Sequence, residues 1–568
     1  MAEAEKQRQR DGQQQSQIQS RIQNQSRTQY NRGYSNNGGG GGFNLAYNSN
    51  QQPANGSRGH PYGPPPPYSF NASLAHDEKY SFNDAFRLEK PKYNDLWASL
   101  LVGACKTRRC NDPRWLTSVH SRQFLVAFGG YVAISGLAIH GYDEGFSGHG
   151  IYRDLNRFSL NSNTIILFAF CLVIAFVFSY GYVWLARLFP RSFIWITGIL
   201  NLAWALGTAI YYLTQGYWSA GIVFLLFAVF LIFAFWTWID RIPFSALMLE
   251  TSIDVSKKYG HVYIVSLIGG LLATALAAWF SVTLVAIYVS YEPSRHNPRC
   301  SVSGNNCSHG KVIGLVVYVT FAMFWISEWL KNTIHTTIAG VYGSWYFSPH
   351  NFPKRATRGA AKRALTFSFG SICFGSLVVA FIQFLKQVCS VARSQGAREG
   401  GAAGCIAYAI FCILTCILSI IEWVVEFVNR YAFCHIALYG KAYTASARDT
   451  WRMMKDRGID ALINDCLVSP VLSLGAIFIG YACALFAYLY LLETDPRYNR
   501  DGGFTAVIMA YAFLIGFQIG NVFTTPLGSG IDTIFVAVGW DPHVMITDHP
   551  ELSREIVRVY PRAQQAIH

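Results

Sequence analysis

Ten apolar stretches of roughly 20 residues each follow one another from residue 124 onward, separated by polar segments. A helix of that length crosses the hydrocarbon core of a bilayer, which is about 30 Å thick. Only 14% of the residues are Asp, Glu, Lys or Arg, whereas soluble domains carry roughly one quarter. We therefore predict an all-α, polytopic membrane helical bundle embedded in the lipid bilayer. The predicted spans are 124–140, 164–187, 193–213, 218–239, 262–290, 312–334, 365–388, 403–427, 466–492 and 503–525.

The distribution of Lys and Arg between the loops predicts the orientation of the bundle. Sixteen basic residues lie in the loops that follow even-numbered spans or at the adjoining span ends, and ten lie in the corresponding segments on the opposite side. Because basic loops stay in the cytoplasm, we expect both termini to be cytoplasmic. The formal net charge of +14 has the same explanation, since these residues lie in short loops. We expect no nucleic-acid partner.

Three regions follow from these patterns. Residues 1–92 are rich in Gln, Asn, Gly and Pro, and such a composition buries too little apolar surface to offset the entropy lost on ordering. We expect a disordered cytoplasmic tail there. The transmembrane domain is predicted at 93–527, and a cytoplasmic C-terminal tail at 528–568.

The N-terminal tail contains a short recognition motif. Pro65, Pro66, Pro67 and Tyr68 match the PPxY pattern, which WW domains bind as a polyproline II helix. The motif predicts a WW-domain partner such as a ubiquitin ligase. A simple Pro-rich linker is the alternative.

The loop between the fifth and sixth predicted spans lies on the outer side. It contains Cys300, Cys307 and the sequon that begins at Asn306. A disulfide between the two cysteines would close a small extracellular loop in an oxidising compartment. The sequon predicts N-glycosylation of Asn306, although a bridged cysteine in its middle position opposes modification.

The first span is interrupted by a polar block. An apolar run ends at Leu101, residues 102–123 are polar and basic, and apolar character resumes at Phe124. Joining Leu101 directly to Phe124 would give one uninterrupted span, whereas the basic residues of the block are costly in lipid. We hypothesise that the block translates a retained intron, because the codon of Val102 begins with GT and Gln123 can be encoded by CAG. A genuine juxtamembrane insertion is the alternative.

Several motifs, in order along the chain, carry a resemblance to a known family. They are KPKYNDLW at 90–97, FWISEWLKN at 324–332, TIAGVYGSWYF at 337–347, FGS at 369–371, FGSL at 374–377, NRYA at 429–432, ALYGK at 437–441 and SARD at 446–449. From about residue 90 to 545 the chain resembles the choline transporter-like family, in particular its fungal pH-nine-sensitive branch. The resemblance implies a ten-helix fold, plasma-membrane residence and solute transport. Choline transport belongs to the animal relatives of this branch.

The sixth predicted span carries an acidic residue between two tryptophans. Trp325, Glu328 and Trp329 lie within about one helical turn and are expected on one face. A carboxylate beside indole rings can bind a quaternary ammonium through charge attraction and cation–π contact. The alternative is a structural ion pair between Glu328 and Lys331.

The eighth span carries Glu422 and Glu426 four residues apart, on one face of the predicted helix. Two carboxylates in this arrangement could line a path for a cation or a proton. The alternative is a structural pair between Glu426 and Arg430, again four residues on.

Residues 337–343, after the sixth span, contain two glycines in an apolar, aromatic context. They are interpreted either as irregular backbone lining a cavity or as an interfacial loop with aromatic belt residues. We predict a central cavity lined by spans six to eight, and the residues expected nearest the substrate are Trp325, Glu328, Trp329, Tyr342 and Trp345.

Other chemistries have no motif in the sequence. It contains no GxxxxGK[ST] nucleotide loop, no HExxH and no GxSxG, so we expect no enzyme, no cofactor, no metal site and no ATP-driven transport by this chain. We predict a transporter for choline or another small organic cation. A non-transporting adaptor or stress-response scaffold acting through the PPxY tail is the alternative. The candidate substrate-binding residues are Trp325, Glu328, Trp329, Tyr342, Trp345, Glu422 and Glu426.

Overall fold

The structure is a computed structural model that describes residues 119–149, 162–291, 308–399, 401–457, 463, 466–496, 499, 505–561 and 564. Regular secondary structure in these ranges is helical. The N-terminal tail and residues 102–118 of the polar block lie outside the described residues. So do several predicted sites, namely Pro65, Pro66, Tyr68, Cys300, Asn306 and Cys307.

The described α-helices comprise ten long helices and five shorter ones. In chain order they are α1 (Val119–His149), α2 (Ser162–Leu188), α3 (Pro190–Thr214), α4 (Trp218–Trp238), α5 (Ile242–Lys258), α6 (His261–Tyr291), α7 (His309–Phe347), α8 (Ala356–Leu365), α9 (Phe369–Glu399), α10 (Gly401–Tyr439), α11 (Tyr443–Arg457), α12 (Val468–Thr494), α13 (Thr505–Trp540), α14 (Pro542–Asp548) and α15 (Pro550–Val559).

Ten helices in the described ranges are long and apolar enough to cross a membrane. They correspond one by one to the ten predicted spans, so the predicted fold class is confirmed. The outer surface suits lipid: α4 buries only Gly221 and Ala228, while Trp236 on the same helix is 71% exposed. A helix that is apolar on all sides and largely unburied by protein belongs in a hydrocarbon environment.

Small residues allow the inner helices to approach closely. A Cβ atom at Gly530 on α13 would lie 2.2 Å from the ring of Tyr342 on α7, and one at Gly475 on α12 would lie 2.0 Å from the ring of Tyr182 on α2. Because no side chain is present at either glycine, the tyrosine rings can pack against the helix backbone. Small residues play this part at many membrane helix interfaces.

Helix α13 continues well beyond the predicted end of the tenth span. It passes through Pro526 and ends at Trp540, so the expected domain boundary at 527 falls inside a helix. Proline lacks the N–H that would bond to the carbonyl four residues earlier, at Val522. The hydroxyl of Ser266 on α6 donates to that carbonyl oxygen at 2.6 Å. This bond compensates for the missing one and allows the helix to continue.

Helix α7 is also longer than the predicted sixth span. It runs without a break from His309 to Phe347 and includes residues 337–343, which are buried. Both interpretations of that segment, irregular backbone and interfacial loop, were therefore wrong. The glycines within it are helical, and the segment packs in the largest buried apolar cluster with α5, α10 and α13.

The C-terminal residues pack against the bundle. Met545 on α14 and Ile556 on α15 are buried, and the ring of Tyr560 stacks on that of Phe244 on α5 with centroids 4.9 Å apart. The described part of the predicted C-terminal tail is thus a folded cap on one end of the bundle.

Candidate functional site

A cavity of about 490 Å³ opens among six of the long helices, α6, α7, α9, α10, α12 and α13. Aliphatic side chains, among them Leu330, Ile334 and Leu472, form part of its wall. Polar side chains form most of the remainder, namely Ser266, Ser327, Glu328, Lys331, Asn332, His335, Glu426, Asn429, Arg430, Ser469, Ser473, Gln518, Asn521, Thr524, Thr525, Ser529 and Asp532.

The charged residues reach this cavity through helical spacing. On α7, Glu328, Lys331 and His335 recur at intervals of three and four residues, which places them on one face. On α10, Glu426 and Arg430 are four residues apart. Asp532 completes the set from α13. With histidine neutral, three carboxylates and two basic groups leave the wall with one excess negative charge.

Lys331 connects the two glutamates. Its Nζ lies 3.4 Å from Glu328 Oε1 on the same helix and 3.3 Å from Glu426 Oε1 on α10. Gln383 on α9 donates its amide N–H to the same oxygen of Glu328 at 3.1 Å. Only 8% of the Glu328 side chain is exposed. Its carboxylate is therefore held by partners on two helices, as a buried charge requires.

A second ion pair lies one turn further along α10. Arg430 Nε is 3.7 Å from Asp532 Oδ2 on α13, and Asp532 is buried. The Nε2–H of His335 on α7 donates to the backbone oxygen of Arg430 at 2.9 Å, while its Nδ1 accepts from the hydroxyl of Ser529 at 2.8 Å. Three helices thus meet at this point through polar contacts.

Two asparagines support the neighbouring wall. Asn332 donates to the hydroxyl of Ser376 on α9 at 2.9 Å. Asn429 donates to the backbone oxygen of Gly375, also on α9 and at 2.9 Å, and accepts from the hydroxyl of Tyr443 on α11. The polar side chains that line this part of the cavity are satisfied by bonds between helices, which fixes their orientation.

The chain is similar in sequence to curated fungal proteins named Protein PNS1. The one from Gibberella zeae is 61% identical over 517 residues, which cover 91% of this chain and 90% of that protein. The one from Aspergillus fumigatus is 55% identical over 541 residues, covering 94% of each chain. The one from Saccharomyces cerevisiae is 40% identical over 529 residues, covering 90% of this chain and 98% of the relative.

A family profile described as plasma-membrane choline transporter matches residues 222–543. This chain belongs to the choline transporter-like family. The predicted resemblance is confirmed, including the fungal branch to which the relatives belong. The matched region contains every residue that lines the cavity, so the cavity lies within the choline transporter-like domain.

Two predicted site residues line the cavity of this choline transporter-like bundle. Glu328 and Glu426 both face it. The structural pair of Glu328 with Lys331 is present, at 3.4 Å. Glu426 contacts Lys331 rather than Arg430, and Arg430 contacts Asp532 instead. The expected pair within α10 is therefore replaced by pairs between helices.

The third acidic candidate, Glu422, lies outside the cavity. Its carboxylate forms an ion pair with Lys386 on α9, one turn of α10 away from Glu426. The pair joins α9 and α10, and neither residue belongs to the cavity wall.

The tryptophans of α7 also lie outside the cavity. Trp325 donates its indole N–H to the backbone oxygen of Cys373 on α9 at 3.0 Å, and its ring packs on Phe124 of α1. Trp329 packs between Phe124 and Phe369, with centroids 5.0 and 5.6 Å away. Neither ring belongs to the wall of the cavity that Glu328 faces, so the predicted cation–π site is not part of that wall.

The remaining aromatic candidates lie nearer the C-terminal end of α7. The hydroxyl of Tyr342 donates to the backbone oxygen of Ser252 on α5 at 2.9 Å. The ring of Trp345 lies 4.5 Å from that of His549, between α14 and α15. Neither lines the cavity. Both contribute to packing between the bundle and its shorter helices.

Sequence reasoning missed Asp532. It lies in the segment 528–568, which the sequence analysis assigns to a C-terminal tail. An aspartate inside the mostly apolar, otherwise uncharged run 527–538 was the available signal, since an acidic residue in a spanning helix is a candidate for function.

Proposed function

We propose that this chain transports a small organic cation, choline or a related amine, across the plasma membrane. The observation that carries the proposal is the cavity of about 490 Å³ with its excess of one negative charge. Its volume lies in the range of small-molecule sites, roughly 300–1,000 Å³. The family description supports choline-like cargo.

The recognition chemistry follows from the cavity wall. Carboxylates in a partly dehydrated site attract a cation more strongly than they would in water, because the effective dielectric constant is lower. A quaternary ammonium has no N–H to donate, so it requires charge rather than hydrogen-bond acceptors. Glu328 and Glu426 supply that charge, and the hydroxyl and amide groups nearby can bind the polar end of the substrate.

The experiment is uptake of labelled choline into vesicles that contain the purified protein. We expect saturable uptake by the wild-type chain and loss of uptake in Glu328→Gln. The matched control is Glu422→Gln, which removes a carboxylate of α10 outside the cavity and should leave uptake in place. Equal rates for wild-type and Glu328→Gln protein would remove Glu328 from the site.

The proposal includes the orientation of the protein in the membrane, with both termini in the cytoplasm. The basic loops support cytoplasmic termini, and exposed basic residues on α8, Arg358 and Lys362 among them, contribute to that charge. On this orientation Cys300, Asn306 and Cys307 face the oxidising exterior.

The N-terminal motif would recruit a WW-domain ubiquitin ligase. Tyr68→Ala should then lengthen the lifetime of the protein in cells without changing its uptake rate in vesicles. A changed uptake rate would contradict this division of roles.

A further inference from the structure

Lys331 occupies the position between the two glutamates of the cavity. Its ammonium nitrogen is 3.4 Å from a Glu328 oxygen and 3.3 Å from a Glu426 oxygen. Protein does not enclose the Lys331 side chain, since 59% of its surface is accessible. A cation of the protein itself thus occupies the place where a bound organic cation would meet both carboxylates.

We propose that Lys331 is a tethered cation that competes with the substrate for Glu328 and Glu426. This inference rests on the proposed function and adds a residue that sets affinity. In the empty site the ammonium offsets one of the two carboxylate charges. When an organic cation enters, it replaces the ammonium, and the Lys331 side chain moves away.

The geometry permits this exchange. Charge-assisted hydrogen bonds to carboxylates are usually about 2.7–2.9 Å long, and both contacts of Lys331 are longer. Lysine carries its charge on a flexible stem of four carbons with rotatable bonds. Gln383 remains as a donor to Glu328 at 3.1 Å when the ammonium leaves. The carboxylate therefore keeps one partner throughout the exchange.

The charges require the exchange. With Lys331 in place, the cavity has three carboxylates against two basic groups. A substrate cation bound beside the ammonium would experience repulsion from a like charge only a few ångströms away. Once the ammonium has moved away, the substrate lies between two carboxylates without that repulsion. The lysine consequently raises the substrate concentration needed for loading, and it prevents an unoccupied site from holding two facing carboxylates without a counter-charge.

The test measures labelled choline uptake by vesicles containing wild-type, Lys331→Met, Lys331→Arg and Lys386→Met protein. In Lys331→Met we expect the half-saturating choline concentration to fall by about tenfold, because one competing charge is gone. Lys331→Arg keeps a competing cation and should not lower the half-saturating concentration. Lys386→Met is the matched control, since Lys386 pairs with Glu422 outside the cavity, and it should stay near wild type.

A chemical rescue separates charge from structure. Lys331→Cys labelled with a methanethiosulfonate carrying an ethylammonium group should recover the wild-type half-saturating concentration. Labelling with a neutral methyl reagent should leave it low. Wild-type uptake could be saturable while neither Lys331→Met nor neutral-labelled Lys331→Cys lowers the half-saturating concentration. That result would overturn the proposal that Lys331 competes with the substrate, and it would leave the proposed transport function in place. Absence of saturable uptake by the wild-type chain overturns the proposed function itself.

Discussion

Arg430 on α10 and Asp532 on α13 form an ion pair of 3.7 Å that joins two walls of the cavity. The aspartate side chain is only 6% exposed, whereas that of the arginine is 47% exposed. Removing one partner or the other therefore has unequal energetic consequences for the residue that remains. Without Arg430, a buried carboxylate is left uncompensated, whereas without Asp532 the guanidinium can still reach solvent.

The first prediction concerns this asymmetry. Arg430→Gln should lower the free energy of unfolding by about 2–4 kcal/mol, because it leaves Asp532 buried and unpaired. Asp532→Asn should cost less, about 1–2 kcal/mol. The double variant should be more stable than Arg430→Gln alone, as expected for coupled residues. Thermal unfolding of the purified proteins in detergent measures all three, and strictly additive losses would argue against a direct coupling.

The second prediction compares two glycines of one helix. Gly530→Ala should destabilise the protein by about 1–3 kcal/mol, since its Cβ would lie 2.2 Å from the Tyr342 ring. Gly528→Ala is the control, because a Cβ there has no neighbour within 4 Å. Unfolding temperatures in detergent should separate the two variants. Similar temperatures for both would show that α7 and α13 can shift to accept the extra carbon.

The third prediction concerns the buried bond between Tyr443 and Asn429. Burial raises the pKa of Tyr443 to about 12, so its hydroxyl remains a donor at physiological pH. Tyr443→Phe should destabilise the protein by about 1–2 kcal/mol at pH 7, because the Asn429 oxygen loses its donor. The loss should be the same at pH 6 and pH 9. A strong dependence of this stability loss on pH between pH 6 and pH 9 would contradict the assignment of the Tyr443 hydroxyl as a protonated donor.

The fourth prediction concerns acid sensitivity of the C-terminal cap. Burial lowers the pKa of His549 below its ordinary value, and the hydrogen bond from its Nε2–H to the Tyr346 carbonyl, at 2.9 Å, only partly opposes this. The folded protein therefore binds this proton less tightly than the unfolded chain. The stabilisation is complete above the unfolded pKa of about 6.5 and is lost as pH falls through the lower folded pKa.

His549→Gln should consequently show a smaller loss of stability between pH 7.5 and pH 5.5 than the wild-type chain. The readout is the unfolding temperature in detergent at both pH values. Identical pH dependence in variant and wild type would assign the acid sensitivity to other groups.

The fifth prediction concerns the polar block at residues 102–123. Without it, Ser99 would take the position of Ser121, which is buried in α1, and Leu100 would replace the exposed Arg122. The shortened chain therefore keeps the buried serine and gains an apolar surface. We expect transcripts lacking these codons and a shortened protein at least as stable as the long one. Transcript sequencing together with unfolding temperatures checks both, and uniform retention of the block would support a genuine insertion.

Local sequence properties were enough to predict the bundle. Span length and apolar character depend on neighbouring residues alone, and the ten predicted spans match ten helices. Helix ends were less predictable where the stabilising contact is distant. The continuation of α13 past Pro526 depends on a hydroxyl from Ser266, 256 residues earlier, and the sequence around the proline contains no sign of it.

Two residues of the cavity wall, Glu328 and Glu426, could be selected from the sequence because charges are rare in spanning helices. The ion-pair partners of these glutamates depend on how neighbouring helices are rotated about their axes, which the sequence does not reveal. The sequence suggests a pair between Glu426 and Arg430, whereas in the structure Glu426 contacts Lys331. Trp325 lies only three residues from Glu328, yet its indole bonds to Cys373. Residues three apart on a helix point roughly 60° apart, enough for neighbouring helices to separate them.

Helix α7 is continuous over its 39 residues from His309 to Phe347, a length of about 58 Å. It carries Glu328 and Lys331 in the cavity and Trp345 beside the C-terminal cap. Many transporters form their sites from broken helices, whose halves can hinge separately. An unbroken helix lacks that freedom, so movement at the cavity must tilt or slide it as a rigid rod. The same displacement would change the contact between Trp345 and His549. Substrate binding in the cavity could therefore be detected at the interface between α7 and the C-terminal cap.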